Sequence, residues 1–151
     1  MKSHATYDDV AIILHLYELR REEKMRKARA WFASSFKVRN LEDFQTVCPP
    51  GSEENANFRM VSSYWEMAAS FVTNGVLNEE IFFQSGGELL LVYEKIREFL
   101  PHYREVRKNP IAFQNLEKVA KSYIQWMSQR APDFYSTYQS VVIGRPQTGK
   151  K

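Results

Sequence analysis

The chain has 151 residues, of which 44% are apolar and 14% aromatic, and its formal net charge is +3. This length is typical of one domain and allows a sizeable core without metals or disulfides. The apolar content excludes a disordered chain, and the apolar runs are far shorter than the roughly 20 residues of a membrane-spanning helix. We therefore expect a soluble, cytoplasmic protein without a membrane span.

The first predicted elements are two helices joined by a corner. Thr6 is a suitable N-cap for the first helix, and its predicted buried stripe consists of Val10, Ile13, Leu14 and Tyr17. The stripe of the second helix consists of Met25, Ala28, Trp31, Phe32 and Phe36. We place a corner in the charged segment 18–24, because one continuous helix over 6–35 would exceed ordinary globular lengths.

The clearest helix in the sequence follows a proline-rich stop. Asn40 is predicted to cap a short helix, which Pro49-Pro50-Gly51 ends. Ser52 then begins a long helix whose apolar residues recur at the helical period, namely Phe58, Val61, Tyr64, Trp65, Ala68, Phe71 and Val72. Gly75 suits the left-handed position that commonly ends such a helix.

Proline and glycine residues mark the predicted helix boundaries in the C-terminal half of the chain. Asn78 is predicted to cap a short helix ended by Gly86-Gly87, and Pro101 to lie near the end of the following helix. That helix carries Leu89, Leu90, Tyr93, Ile96, Phe99 and Leu100. Asn109-Pro110 is predicted to start the last long helix, which Pro132 ends. Its stripe is Phe113, Leu116, Val119, Ala120, Tyr123 and Met127.

The predicted fold is all-α, a single-domain helical bundle over residues 1–143. It has about five or six main helices, with short helices near 41–48 and 79–84. Burial of one stripe does not offset the entropy of ordering an isolated helix, so the stripes must meet in a shared core. Segment 133–143 suits either a short helix or a strand, and residues 144–151 are predicted to be a flexible basic tail.

The sequence offers no convincing reactive site, and we predict no catalytic, cofactor-binding or metal-binding residues. Gly144 to Lys150 has the glycine and lysine spacing of a phosphate-binding loop, but Lys151 replaces the magnesium-binding hydroxyl and no helix follows. His4, His15 and His102 lack the spacing of metal ligands. They are predicted to be structural or surface residues.

Six further side chains invite a chemical or structural interpretation. Cys48 is the only cysteine, which excludes an internal disulfide and favours an inert packing thiol. Glu66 and Glu88 flank apolar stripes and could be buried with a raised pKa, although residues at a stripe margin more often stay hydrated. The three tryptophans are predicted to be core or interface anchors, namely Trp31, Trp65 and Trp126.

Two basic clusters form the candidate binding surface. The first is Arg20, Arg21, Lys24, Arg26, Lys27 and Arg29, and the second is Arg104 and Arg107 with Lys108. These bases could contact phosphates. The alternative is a solvated face, because Glu22 and Glu23 stand four residues before Arg26 and Lys27 and can pair with them. Whether the two clusters adjoin stays open.

Short motifs over most of residues 16–117 carry a resemblance. They are Leu16-Tyr17-Glu18-Leu19-Arg20, Lys27-Ala28-Arg29, Asn74-Gly75-Val76-Leu77, Tyr103-Arg104 with Arg107, and Phe113-Gln114-Asn115-Leu116-Glu117. The chain resembles an uncharacterised bacterial helical family, a domain of unknown function. Members of that family often carry a membrane-spanning segment before the helical part, and none is expected within residues 1–151, because their apolar runs are short. The resemblance implies an all-helical fold and supplies no catalytic residues.

The leading functional hypothesis is a non-enzymatic protein–protein interaction or regulatory module, with a homodimer as one arrangement. The alternative is a nucleic-acid-binding protein that uses the basic face from Arg20 to Arg29. A third class is a small-molecule or enzymatic site between helices, which requires a closed cavity with converging polar groups.

Overall fold

The helical periods of the sequence appear directly in the backbone. A computed structural model describes residues 4–145, and within them the chain forms nine helices and no strand, which confirms the all-α prediction. The helices are α1 Tyr7–Arg21, α2 Glu23–Ser35, α3 Leu41–Val47, α4 Glu53–Thr73, α5 Glu79–Phe83, α6 Glu88–Ile96, α7 Leu100–Val106, α8 Gln114–Arg130 and α9 Phe134–Val141. The predicted corner lies between α1 and α2.

Local side-chain chemistry sets several helix ends as predicted. The side-chain oxygens of Asn40, Ser52 and Asn78 each accept from the backbone N–H three residues on, at 2.8, 3.1 and 2.9 Å respectively. These bonds satisfy donors that the first turn of a helix leaves free. Gly75 ends α4 with a φ of 74°, a conformation that costs glycine little.

Helix α4 is the centre of the domain. It packs most extensively on α8 and α2, while α6 lies against α8 and α4, α1 against α2, and α9 against α8. The predicted stripe of α4 is confirmed, because all its members are buried except Phe71, which is half-buried. Trp65 is fully enclosed, with 0% of its surface exposed. One cluster of buried apolar side chains extends from Leu16 to Ala120.

A row of aromatic rings joins four segments of the core. The ring centroids of Phe32 and Phe36 are 4.7 Å apart, and those of Phe36 and Phe58 are 5.4 Å apart. The ring centroid of Phe44 lies 4.8 Å from that of Phe58 and 5.3 Å from that of Phe99. Such pairs add to the burial of apolar area. The row therefore fixes α3 and the start of α7 against α2 and α4.

Two boundaries predicted from proline were wrong. Pro101 does not end a helix; α6 stops at Ile96, and Pro101 lies in the first turn of α7. In the first turn of a helix the backbone N–H has no intrahelical acceptor. Proline, which lacks this N–H, is therefore tolerated at position 101. The segment after Asn109-Pro110 forms turns, and α8 begins only at Gln114, after Phe113 adopts a left-handed φ of 57°.

The C-terminal segment folds back onto the domain. Residues 133–143, for which helix and strand were both considered, contain α9. Gly144 and Arg145 open the predicted tail, and Arg145 donates to the backbone oxygen of Glu94 at 3.0 Å. The rest of the tail, with most of its glycine and lysine pattern, lies outside the described residues. Among residues 4–145, every helix is too short or too polar to cross a bilayer.

Candidate interaction surface

Helix α1 is held to the domain by a narrow inner face. Only Asp9 and Leu16 of this helix are buried, with Ile12 and Ile13 packed beside them. The Tyr64 hydroxyl donates to the Leu16 carbonyl oxygen at 2.6 Å. The Asp9 carboxylate accepts from the backbone N–H groups of Thr6 at 2.7 Å and Asn78 at 2.9 Å. A buried carboxylate thus ties α1 to the start of α5.

The stripe predicted to bury α1 was largely wrong. Val10, Leu14 and Tyr17 are 39%, 56% and 51% exposed, and of the predicted set only Ile13 packs on the core. The helix has two apolar faces, and the core takes the one that includes Leu16. The period of 3.6 residues alone does not show which face turns inward.

Leu19 is exposed on another face of α1, whereas the other large exposed apolar residues of this helix form a line that we call the outer seam. It consists of Tyr7, Val10, Leu14 and Tyr17. Tyr7 is 85% exposed, and the spacing of three, four and three residues is that of a coiled-coil seam. At its C-terminal end, the guanidinium groups of Arg20 and Arg21 lie 5.7 and 5.6 Å from the centroid of the Tyr17 ring.

Arg20, predicted to be part of a binding surface, is engaged within the domain. Its Nη1 donates to the Tyr64 hydroxyl at 3.0 Å, and its guanidinium lies 5.1 Å from the centroid of the Trp65 ring. A cation over an aromatic face is attracted by the ring quadrupole. Arg20 therefore helps to hold α1 on α4.

Arg29 is also engaged internally. Its Nε and Nη2 donate to the Glu88 carboxylate at 3.0 and 2.7 Å, and its Nη1 donates to the Arg20 carbonyl oxygen at 3.2 Å. The hydrogen bond with Glu88 raises the pKa of Arg29 above its usual value. This forked pair joins the corner between α1 and α2 to the start of α6. Glu88 is thus a paired residue at the margin of the core.

The outward bases of the first cluster border a shallow groove of about 890 Å³. Its basic lining residues include Arg21, Arg26 and Lys27, and Lys24 is exposed nearby in sequence. The predicted pair of Glu23 and Lys27 is confirmed, at 3.3 Å. Exposed pairs of this kind contribute little to stability.

Glu22 has a different role from the predicted pairing with Arg26. Its carboxylate accepts from the backbone N–H of Met25 at 3.0 Å and so caps α2. Hydrogen bonds from the backbone N–H groups of Lys24 and Met25 lower the pKa of Glu22. The cap fixes the direction in which α2 leaves the corner.

The second basic cluster lies along α7 and is partly engaged. Arg104 donates to the Ala112 carbonyl oxygen at 2.8 Å and pairs with Glu117 at 3.2 Å. The Arg107 guanidinium lies 4.9 Å from the Tyr103 ring centroid, beside a cavity of about 610 Å³. No residue of the first cluster lines that cavity. The two clusters therefore do not share it.

The sequence analysis missed the network around Glu94, a residue with 0% exposure. Its carboxylate pairs with Arg97 at 3.3 Å and Arg145 at 3.4 Å, and accepts from the hydroxyl of Tyr135. Burial and the neighbouring carboxylate raise the pKa of Tyr135. The signal in the sequence was a carboxylate inside an otherwise apolar helix, and its partners lie up to 51 residues away.

Two other acidic or thiol groups have structural roles. Glu66 accepts from the backbone N–H groups of Asn115 at 3.2 Å and Leu116 at 2.7 Å, and so caps the start of α8. Cys48 is buried, and its desolvation raises the pKa of the thiol to about 11. It is therefore protonated at neutral pH, in agreement with a packing role. Among residues 4–145, no three potential ligands converge as a metal site would need.

The fold and this surface define a class: an all-α domain with a filled aromatic core and an uncovered apolar seam on a peripheral helix. The family model for a domain of unknown function (DUF4760) matches residues 5–139, and the chain belongs to this family. This confirms the resemblance to an uncharacterised family. No curated protein and no solved structure matches the chain.

Proposed function

We propose that this domain is a non-enzymatic protein–protein interaction module whose docking face is the outer seam of α1. The observation that carries the proposal is the exposure of Leu14 and Tyr17, at 56% and 51%, on the same line as Tyr7. Contiguous apolar surface on a folded domain marks an interaction site more often than isolated apolar residues do. Helix α1 thus has a second apolar face, which the core does not cover.

The partner that fits this seam is a second copy of the chain. A seam with heptad spacing is complementary to another seam of the same spacing. In an antiparallel pair with Leu14 on the two-fold axis, Tyr7 lies opposite Arg21 of the second copy. A guanidinium over an aromatic ring is favourable there, and antiparallel helices also oppose their dipoles. A two-fold contact of this kind is the commonest closed association.

The proposed dimer is reversible. Helix α1 has 15 residues, so the contact is about 22 Å long. A single helix pair of that length falls below the roughly 1,200 Å² that stable interfaces bury, and weaker complexes lie in this range. A reversible contact suits a regulatory module, because its occupancy then follows the concentration of the chain.

Nucleic-acid binding is the second candidate, and the geometry supports it less. Arg20, Arg29 and Arg104 already have partners within the domain. The outward cations near the corner are then Arg21, Lys24, Arg26 and Lys27, with Glu23 among them. Phosphate contacts need several free cations along one track. A cytoplasmic location and a regulatory role stay predictions.

Sedimentation velocity over a concentration series tests the proposal. The wild-type chain is expected to pass from monomer to dimer, and Leu14→Glu to raise the dissociation constant at least about tenfold, because it buries an unpaired charge at the centre of the seam. His15→Glu is the matched control, because His15 is exposed and lies about 100° around the same helix from Leu14, outside the outer seam. A wild type that stays monomeric throughout, or equal association of Leu14→Glu and wild type, would contradict the proposal.

A further inference from the structure

We propose that a second site, independent of the outer seam, binds a small organic anion with an apolar body. The site is a cavity of about 520 Å³ between the segment after α2 and the segment after α9. That volume lies within the range of small-molecule pockets. It is lined in part by Phe36, Val38, Val142 and Ile143, with four basic side chains and one acid around them.

The apolar part of the ligand would lie between two short segments. Phe36 and Val38 belong to one wall, but they are 1% and 6% exposed and therefore offer little area to a ligand. Val142 and Ile143 form the opposite wall, and Val142 remains 52% exposed. An apolar group there would cover mainly the surface of Val142 and Ile143 that now faces water, which is favourable in proportion to the area covered.

Two cations at this cavity have no acidic partner among the described residues. Lys37 and Arg39 are both exposed and both line the cavity. The only carboxylate in the lining is that of Asp43, and it accepts from the backbone N–H of Arg39 at 3.1 Å. The side chains of Lys37 and Arg39 are therefore available to an anion.

A third cation strengthens the positive field. The Lys95 ammonium donates to the carbonyl oxygens of Phe32, Ala33 and Phe36 at 2.9, 2.9 and 3.2 Å, and so caps the C-terminal end of α2. Burial and the nearby charge of Lys37 lower the pKa of Lys95. A bound anion would offset the repulsion between these two ammonium groups.

The fourth cation holds the wall in place. Arg145 donates to the backbone oxygen of Glu94 at 3.0 Å and pairs with Glu98 at 3.4 Å. Its donors are thus directed to acids of α6 and the turn after it. Contact with the ligand falls to Lys37 and Arg39, while Arg145 positions Val142 and Ile143.

Titration with decanoate, followed by ¹⁵N–¹H correlation NMR of the full chain, tests this site. Saturable shifts are expected at residues 36–39, Lys95 and residues 142–145, because decanoate carries a carboxylate on an apolar chain. Lys37→Glu should weaken binding at least about tenfold, since it replaces attraction with repulsion. Lys118→Glu, an equal change of charge at an exposed position of α8, should bind as wild type does.

Inorganic phosphate separates the anionic and apolar parts of the proposal. It should bind the same residues more weakly than decanoate, because it cannot cover Val142 and Ile143. Equal affinity for the two probes would overturn the apolar part. Absence of saturable shifts at these residues, or equal affinity of Lys37→Glu and wild type, would overturn the site. The spectrum of each free variant shows whether it is folded.

Discussion

Replacing Trp65 with alanine is expected to lower the free energy of unfolding by about 3–5 kcal/mol, the usual cost of truncating a large buried aromatic side chain. Trp65 has 0% exposure, and its ring centroid lies 5.0 Å from that of Tyr64 and 6.4 Å from that of Phe82. The same ring supports the guanidinium of Arg20 at 5.1 Å. Loss of the ring would therefore leave a cavity in the core beside α4 and weaken the attachment of α1 to the domain.

Urea unfolding followed by circular dichroism measures this loss. Trp126→Ala is the matched control, because Trp126 is only half-buried and its ring is covered by Arg130 at 3.9 Å. We expect this change to cost about 1–2 kcal/mol. Equal costs for the two tryptophans would show that α4 is not the centre of the core.

Glu94→Ala is expected to lower the free energy of unfolding by about 3 kcal/mol, because it leaves Arg97 without a carboxylate and Arg145 with only that of Glu98. Arg97 and Arg145 both pair with this residue, at 3.3 and 3.4 Å. Neither guanidinium is fully buried, so water relieves part of the cost. Helix α9 has no fully buried residue of its own. We therefore expect faster amide hydrogen exchange in α9 as a second readout.

Glu98→Ala provides the comparison for this network. Glu98 also pairs with Arg145, at 3.4 Å, but its side chain is 42% exposed. Exposed pairs contribute about 0–1 kcal/mol, so this variant should unfold nearly as the wild type does. Should both glutamate variants lose the same stability, the network around Glu94 would not hold the C-terminal segment.

Helix positions were predictable where one face alone was apolar. The stripe of α4 runs from Phe58 to Val72 in a helix of 21 residues and marks one apolar side, so its period fixed both the helix and its buried face. Helix α1 carries apolar residues on two sides. Its inner face includes Asp9, a carboxylate that local reasoning would keep in water. The choice between the faces depends on Asn78 and Tyr64, which lie far away in the sequence.

Proline signals were ambiguous for a similar reason. A proline fits both the turn that ends one helix and the first turn of the next. At Pro101 the chain has already turned over residues 97–99, and Phe99 and Leu100, at the start of α7, are both buried in the shared core. The helical period continues across that turn, so a single helix was predicted where two exist.

The candidate sites were less predictable than the fold. The basic residues were visible in the sequence, but the engagement of Arg20 and Arg29 by Tyr64 and Glu88 depends on separations of 44 and 59 residues. The cavity beside Lys37 likewise joins segments that are far apart in the chain. Such groups come together only when the helices pack, and no local sequence pattern predicts that packing.

Cysteine cross-linking at the outer seam tests the central claim most directly. In a Cys48→Ala background, Leu14→Cys places a thiol on the proposed two-fold axis, and His15→Cys places one about 100° further around α1, outside the outer seam. Mild oxidation should link two copies through residue 14 and leave the residue 15 variant monomeric on a non-reducing gel. Equal cross-linking of the two variants, or none at residue 14, would contradict the assignment of the outer seam as the docking face.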